Sequence, residues 1–220
     1  MRRGGGDSVT GRHGDAEPDT DPVRAFLAIP VQPPALAAFQ ALRERLVTEV
    51  AAVRWTPAES PHITLHFFGA ISASDGGRAL GVLRPAVAVL PPMTLRLCGL
   101  GVFPSMARPR VLWCGVDGEE DALKECARAC SAALHVAGFP VERRPYRAHC
   151  TLGRPRKLWP ANAREPWARL VDEEPTTPAF TAAHAVLYES VPGPAGIRHV
   201  PREILPLDTV TAAAVRGPRS

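Results

Sequence analysis

Hydrophobic positions along the first third of the chain switch between the spacing typical of strands and the spacing typical of helices. Residues 23–29 form an apolar run with β-branched members, which predicts a first strand. Segment 61–69 is rich in β-branched and aromatic residues, which predicts another. Between them, apolar residues recur every three or four positions over 33–50, which predicts an amphipathic helix. The positions that define this helix are Leu36, Phe39, Leu42, Leu46 and Val50.

The second half of the chain repeats this order of elements. Segment 109–116 is predicted to be a strand, and segment 146–154 a further strand. The helix expected between them covers 119–137 and has Leu123, Cys126, Cys130, Leu134 and Ala137 on one stripe. The pattern therefore indicates an internal duplication, in which each half contributes a strand, a helix and a second strand.

Other elements are predicted between and after the two repeated units. A weaker helix is expected within 74–90, interrupted at Pro85, because proline removes a helical hydrogen bond. A strand is expected at 93–103, and segment 183–191 is expected to be the last strand.

Composition favours one folded domain with loose ends. The chain has 220 residues, of which 45% are hydrophobic and 22% charged, which is ordinary globular usage. Residues 1–21 are nearly free of large apolar side chains and are predicted to be a disordered tail. The domain is expected over 22–208, followed by a second loose tail at 209–220. The net charge of +4 permits a polyanionic partner without requiring one.

The cysteines and apolar runs indicate where the protein works. Five cysteines, with no N-terminal signal peptide, argue against a secreted disulfide framework. The apolar runs are shorter than a membrane span requires. We therefore expect a cytoplasmic, reduced protein with no membrane association.

The sharpest chemical signal is the motif H-x-T-L, which occurs in both repeated units. It places His62 and Thr64 in one predicted strand, and His149 and Thr151 in the other. Side chains alternate faces along a strand, so each histidine shares a face with its threonine. Two imidazoles facing one groove could serve as general acid and general base near neutral pH, and two hydroxyls could bind phosphate oxygens.

These histidines have two other possible interpretations, a structural role and a metal site. A histidine on a strand is often purely structural. His62 and His66 also have H-x-x-x-H spacing, but the glutamate of a zinc-protease motif is absent and the segment is predicted to be a strand. By alternation His66 shares the face of His62, where it would either border the groove or be solvated. No metal or cofactor is expected.

At these residues the sequence resembles the 2H phosphoesterase superfamily, and within it the bacterial RNA 2′,3′-cyclic phosphodiesterases, also called 2′-5′ RNA ligases. The similarity runs in colinear order over residues 23–190. The segments that carry it are RAFLAI, RWTPAESPHITLHFFG, FPSMARPRVLWCGV, YRAHCTLGR and AVLYES. Two departures are Gly153, where the family often has alanine, and His66, where a lysine is frequent.

The resemblance implies a bilobal α+β fold, with two pseudo-symmetric lobes whose antiparallel sheets line a central groove. It also implies metal-independent hydrolysis of an RNA terminal 2′,3′-cyclic phosphate to a 2′-phosphate. His62 would then be the general acid that protonates the leaving O3′, and His149 the general base that activates water. Thr64 and Thr151 would hold the phosphate oxygens.

Further residues follow from the same resemblance. Arg154 stands where the family motif often carries an arginine and could bind phosphate, although counting by two puts it on the opposite face from His149 unless the strand ends at Gly153. Phe26 could stack on the terminal base or belong to the core. The expected partner is RNA with a cyclic phosphate end or a related cyclic nucleotide, bound by a monomer. Two alternatives stay open, namely 2′-5′ RNA ligation by the same site and a noncatalytic module that binds RNA ends.

Overall fold

The computed structural model describes residues 21–156, 159–193 and 196–208. Within them the elements are β1 Val23–Pro30, α1 Ala35–Glu49, β2 Val53–Trp55, β3 His62–Ile71, α2 Ala73–Ala88, β4 Met93–Phe103, β5 Val111–Gly118, α3 Glu120–Val136, β6 His149–Pro155, α4 Ala161–Asp172, β7 Phe180–Ala182, β8 His184–Gly193 and β9 Gly196–Pro206. The two predicted tails lie outside the described residues, apart from Asp21.

The strands of the described chain form one antiparallel sheet with a symmetric plan. The order is β7-β4-β5-β6-β3-β1-β8-β9, and β2 pairs with the free part of β6. The two motif strands, β3 and β6, lie side by side at the centre, where Ile63 pairs with Cys150. Three strands flank each of them, so each lobe contributes one half of the sheet. The predicted bilobal α+β fold is confirmed, with the two lobes joined into one continuous sheet.

The core lies between the helices and one face of the sheet. Ile63 and Leu65 of β3 and Cys150 and Leu152 of β6 are buried there, as alternation along the motif predicts. Phe39 and Leu46 of α1 pack into the same core, and so do the two cysteines of the α3 stripe. The opposite face of the two motif strands is left for the histidines and threonines. Burial of the helical stripes therefore determines which face can carry chemistry.

The expectation that α2 is interrupted at Pro85 is wrong, since the helix runs through it from Ala73 to Ala88. Pro85 cannot donate a hydrogen bond to the carbonyl of Gly81, but both residues are exposed at the surface. Water can therefore satisfy the freed carbonyl, and the helix tolerates the proline.

The expectation that 183–191 is the last strand is also wrong, because β9 follows β8 and pairs with it along its whole length. Strand β9 is at the edge of the sheet and contains Pro201, which an edge strand tolerates because one side of it needs no partner. The hydrophobic pattern does not predict this strand, nor does it predict β2, α4 or β7. No helix in the described part of the chain has the length and apolar character needed to cross a bilayer.

Candidate active site

The two H-x-T-L motifs meet at the centre of the sheet. The pairing of Ile63 with Cys150, continued by one residue in each direction, sets His62 opposite Thr151 and Thr64 opposite His149. The four side chains therefore form one group, with the two histidines on one diagonal and the two threonines on the other. Neither threonine hydroxyl forms a hydrogen bond within the described residues, so both are available to a ligand.

Each catalytic candidate is held in one tautomer by a carbonyl two residues before it. Nδ1 of His62 donates to the carbonyl oxygen of Ser60 at 2.8 Å, and Nδ1 of His149 donates to that of Arg147 at 2.7 Å. A carbonyl only accepts, so the proton of each neutral ring is on Nδ1. Nε2 of each ring is left with a lone pair, which can take a proton from water or, once protonated, give one to a leaving group.

The two histidines differ in their surroundings. The ring of His62 has three aromatic neighbours, with ring centroids at 4.7 Å for Phe26, 5.9 Å for Tyr188 and 5.1 Å for His199. His149 meets the ring of Phe103 edge-on at 5.1 Å. The pseudo-symmetry of the backbone is therefore broken by side chains, and His62 is the more enclosed of the two.

Burial lowers the pKa of both imidazoles. Desolvation is the main cause for His62, with smaller contributions from His199 and His149, and it lowers the pKa to about 4. The pKa of His149 is lowered below its ordinary value of 6.5, again chiefly by desolvation, with a further contribution from the charge of Arg154. Both rings are therefore mostly neutral at pH 7 in the free protein.

This difference predicts the pH dependence of the reaction. An acid–base pair needs one imidazole protonated and the other neutral. Molecules with one proton on the pair are most abundant between the two pKa values, and the form required here, with His62 protonated and His149 neutral, varies with pH in proportion to their number. We expect kcat/KM to form a bell whose maximum lies between about pH 4 and pH 6.5 and to fall as pH rises above 7, because both rings then lose their protons. Initial rates at low substrate concentration across the pH range test this, with circular dichroism to show that the fold persists in acid. A maximum above pH 7 would contradict it.

The expectation that His66 shares the face of His62 is wrong. The register of β3 on β1 skips Leu65, so that Thr64 pairs with Ala28 and His66 pairs with Leu27. This bulge reverses the alternation. His66 therefore turns toward the core, where it is 8% exposed and contacts the ring of Phe68 at 4.6 Å. Its Nε2 has no hydrogen-bond partner in the described chain, and burial lowers its pKa.

The same bulge brings Phe67 to the site. Phe67 pairs with Phe26 of β1, and their ring centroids are 5.9 Å apart. Phe67 is 68% exposed, so its ring is open to a ligand. Phe67 therefore provides the open aromatic surface on the face of His62.

The internal repeat could have indicated that Phe67 belongs to the site. Phe67 follows His62 by five residues, as Arg154 follows His149.

Phe26 itself lies under the site and not at its surface. It is 2% exposed and stacks on Tyr188 with ring centroids 5.2 Å apart. Base stacking by Phe26 stays a prediction, but its position favours the alternative weighed from the sequence, in which the ring belongs to a packed cluster. Its contact with His62 makes it a support for that imidazole.

Regular alternation of side chains along β6 predicts that Arg154 lies on the face opposite His149. This prediction is wrong, because β6 contains a bulge. Strand β6 continues to Pro155, and its register on β5 skips Leu152, so that Gly153 pairs with the buried Leu112. Arg154 then returns to the face of Thr151, consistent with its effect on the pKa of His149. Gly153 lies close under β2, where a Cβ would come within 2.7 Å of Val53 Cγ1. Phosphate binding by Arg154 stays a prediction.

His199 is a further residue of the site that the sequence does not predict, because it comes from β9. Its ring meets those of His62 and Phe26 edge-on, and its Nδ1 is 3.5 Å from Ser190 Oγ. No local pattern around His199 indicates this position, since it depends on the hairpin of β8 and β9.

Neither a reactive cysteine nor a cluster of metal ligands lies among the described residues of the site. Cys150 is buried on the core face of β6, and desolvation raises the pKa of its thiol to about 12. Within the described residues, histidine, cysteine and acidic side chains form no group of three that could hold a metal ion.

A curled antiparallel sheet with one H-x-T-L strand from each lobe at its centre defines a 2H phosphoesterase. The chain belongs to the 2′-5′ RNA ligase superfamily, whose family model matches residues 30–193.

Relatives of known sequence agree with this assignment. The chain is similar to the RNA 2′,3′-cyclic phosphodiesterase of Geobacillus stearothermophilus, with 29% identity over 165 residues that cover 75% of this chain and 51% of that protein. It is 31% identical over 132 residues to the protein of the same name from Methanothermobacter thermautotrophicus, covering 60% of this chain and 71% of that one. The chain thus spans about half the length of the Geobacillus relative.

Solved structures support the fold. TT0787 of Thermus thermophilus superposes with a TM-score of 0.68 at 21% identity, covering 84% of this chain and 98% of that one. LigT of E. coli in complex with 3′-AMP gives a TM-score of 0.67 at 22% identity, covering 85% and 99%.

Proposed function

We propose that this protein hydrolyses the 2′,3′-cyclic phosphate at the end of an RNA to a 2′-phosphate. The observation that carries the proposal is the pair of imidazoles, each with Nδ1 bound to a carbonyl and Nε2 left free beside a free threonine hydroxyl. Two relatives bear the name RNA 2′,3′-cyclic phosphodiesterase, which supports this choice of substrate.

In the proposed reaction, Nε2 of His149 takes a proton from a water molecule whose oxygen attacks phosphorus. The bond between phosphorus and O3′ breaks, and O3′ receives the proton of the His62 imidazolium. The product has a 2′-phosphate and a free 3′-hydroxyl, and the two histidines have exchanged protonation states. The diagonal placement of the rings suits an in-line displacement, because the attacking and leaving oxygens lie on opposite sides of phosphorus.

The charge that develops on the nonbridging oxygens would be held by the hydroxyls of Thr64 and Thr151. Donors fixed on a rigid sheet need no reorganisation during the reaction, which is why they stabilise the transition state effectively. Arg154 on the same face would add a positive charge near the phosphate.

Phe67 would provide the surface for the terminal base. We expect Phe67→Ala to raise KM by about five- to 150-fold, since stacking of a base on an aromatic ring contributes roughly 1–3 kcal/mol. Phe67→Tyr keeps the ring and should keep KM near the wild-type value. Steady-state kinetics give KM for each variant. An unchanged KM in Phe67→Ala would show that the terminal base binds to another surface. Because Phe67 is exposed, its substitution should leave the fold intact.

The test of the proposed function is incubation of the purified protein, in EDTA, with an RNA oligomer that ends in a 2′,3′-cyclic phosphate. The expected product is the 2′-phosphate. A 3′-phosphate product would mean that O2′ leaves, which contradicts the proposed geometry. Binding of the oligomer without turnover would favour the noncatalytic module and would overturn the proposal.

A further inference from the structure

An open pocket of about 820 Å³ lies beside the end of β6. Six arginines line it, and we call this group the arginine basin. Its members are Arg54, Arg108, Arg110, Arg154, Arg156 and Arg164. No acidic residue lines the pocket in the described part of the chain.

Four separate parts of the fold bring these arginines together. Arg54 of β2 pairs directly with Arg154 of β6, and partners in an antiparallel pair point to the same face. Arg156 follows β6, and its backbone N–H donates to the carbonyl of Ala52 at 2.9 Å. Arg108 and Arg110 come from the connection between β4 and β5, where their backbone N–H groups donate to the carbonyls of Ser105 and Phe103. Arg164, on α4, completes the wall. The basin is thus held by backbone hydrogen bonds and not by ion pairs.

The charges of the basin are not neutralised by the protein. Among the described residues, none of the six guanidinium groups forms an ion pair, and Arg164 alone has a side-chain hydrogen bond, to the carbonyl of Trp159 at 3.0 Å. Arginines elsewhere on the surface, such as Arg45 and Arg128, are paired with carboxylates. Like charges held together raise the electrostatic free energy of the protein, and an anion bound among them would lower it.

The basin is linked to the histidine site through Arg154. Arg154 belongs to the basin, and its charge also lowers the pKa of His149. Along β6 the two residues are five positions apart, and because the bulge at Leu152 takes up one of these steps, the strand between them spans roughly 13 Å. One cyclic nucleotide held between the histidines would therefore reach the edge of the basin at most, whereas an RNA chain of several nucleotides would extend into it.

The two ends of the site also differ in chemistry. The residue five positions after His62 is the exposed ring of Phe67, and the residue five positions after His149 is the guanidinium of Arg154. An RNA end has a base with a flat aromatic face and a chain of anionic phosphodiesters. The aromatic end suits the base, and the arginine end suits the chain.

We infer that the arginine basin binds the phosphodiester backbone of the nucleotides that precede the cyclic phosphate, so that the enzyme prefers RNA ends to cyclic mononucleotides. This inference rests on the proposed function for the identity of the reacting group. It assigns to the basin residues a role in substrate length selection, separate from the chemistry at the histidines.

The experiment compares two substrates, 2′,3′-cyclic AMP and an oligoribonucleotide several nucleotides long with the same end. The variants are Arg108→Ala, Arg156→Ala and the double variant. The control is Arg128→Ala, which removes the same charge from α3, on the other side of the sheet. We expect the basin variants to raise KM for the oligoribonucleotide several-fold and to leave kcat/KM for cyclic AMP unchanged. The dependence of log(kcat/KM) on log salt concentration should become shallower by about 0.7 for each phosphate that a variant no longer neutralises.

Each outcome decides the inference. Equal kcat/KM of the wild-type protein for the two substrates, or equal effects of Arg108→Ala and Arg128→Ala, would overturn it. Failure of the proposed function is recognised separately, because the wild-type protein would then turn over neither substrate. In that case binding of a fluorescent single-stranded RNA without a cyclic phosphate, measured for wild type and the double variant, tests the basin alone. Weaker binding by the double variant supports the basin, and equal binding overturns it.

Discussion

Substituting alanine for His149 is expected to lower kcat for opening of the cyclic phosphate by about 10²–10⁴-fold, because the attacking water loses its general base. His62→Ala is expected to have an effect of similar size, because O3′ would leave as an unprotonated alkoxide. The two residues act in one step, so the double variant should be little slower than either single variant. Single-turnover measurements with saturating enzyme isolate the chemical step.

A modified substrate distinguishes the acid from the base. Replacing the bridging 3′-oxygen by sulfur gives a leaving group that needs no protonation. This substrate should restore much of the rate of His62→Ala but none of the rate of His149→Ala. If the sulfur substrate restored the rate of His149→Ala instead, His149 would be the general acid and His62 the general base.

The matched control for both histidine variants is His135→Ala, on the exposed surface of α3. Its kcat should equal that of the wild type. A kcat for His149→Ala within a few-fold of the wild-type value would refute the acid–base proposal.

Substituting valine for Thr151 is expected to lower kcat by about 10²–10³-fold, as does the loss of one donor to a developing oxyanion in other enzymes. Valine keeps the shape and the β-branching of threonine, so the strand should fold as before. Thr64→Val should behave similarly, because the two hydroxyls occupy equivalent positions of the repeated motif.

The serine variants provide the control for the hydroxyl. Thr151→Ser keeps the donor and should retain most of the activity, whereas Thr151→Val should not. The reduction should be in kcat more than in KM, because the hydroxyl binds the transition state more strongly than the ground state. Equal kcat for Thr151→Val and wild type would show that the hydroxyl does not contact the reacting phosphate.

Much of the fold followed from local patterns. The strands that carry the motifs, the helices α1 and α3 and the order of the repeated units were predicted, because apolar spacing records which face of each element is buried. Strand β9 was not predicted, since an edge strand needs only one partner and its sequence can contain Pro201. Pro85 was wrongly taken to interrupt α2, because exposure of the freed carbonyl depends on where the helix lies in the fold.

The bulges explain the largest differences at the site. Alternation places His66 on the face of His62 and Arg154 on the face opposite His149. Both assignments are reversed by a skipped residue directly after the motif threonine, Leu65 in β3 and Leu152 in β6. A bulge depends on how two strands pair, so the sequence of one strand does not reveal it. Both lobes contain the bulge at the same place, the leucine of the motif.

The sequence by itself determined the pair of H-x-T-L strands, the face on which His62, Thr64, His149 and Thr151 lie, and the repeated order of elements. These properties are local, because they follow from alternation along single strands and from burial of single helical stripes. Only the tertiary structure decided the enclosure of His62 by rings from β1, β8 and β9, the exposure of Phe67 and the gathering of the arginine basin. These depend on contacts between residues far apart in the chain, which form only when the strands have paired.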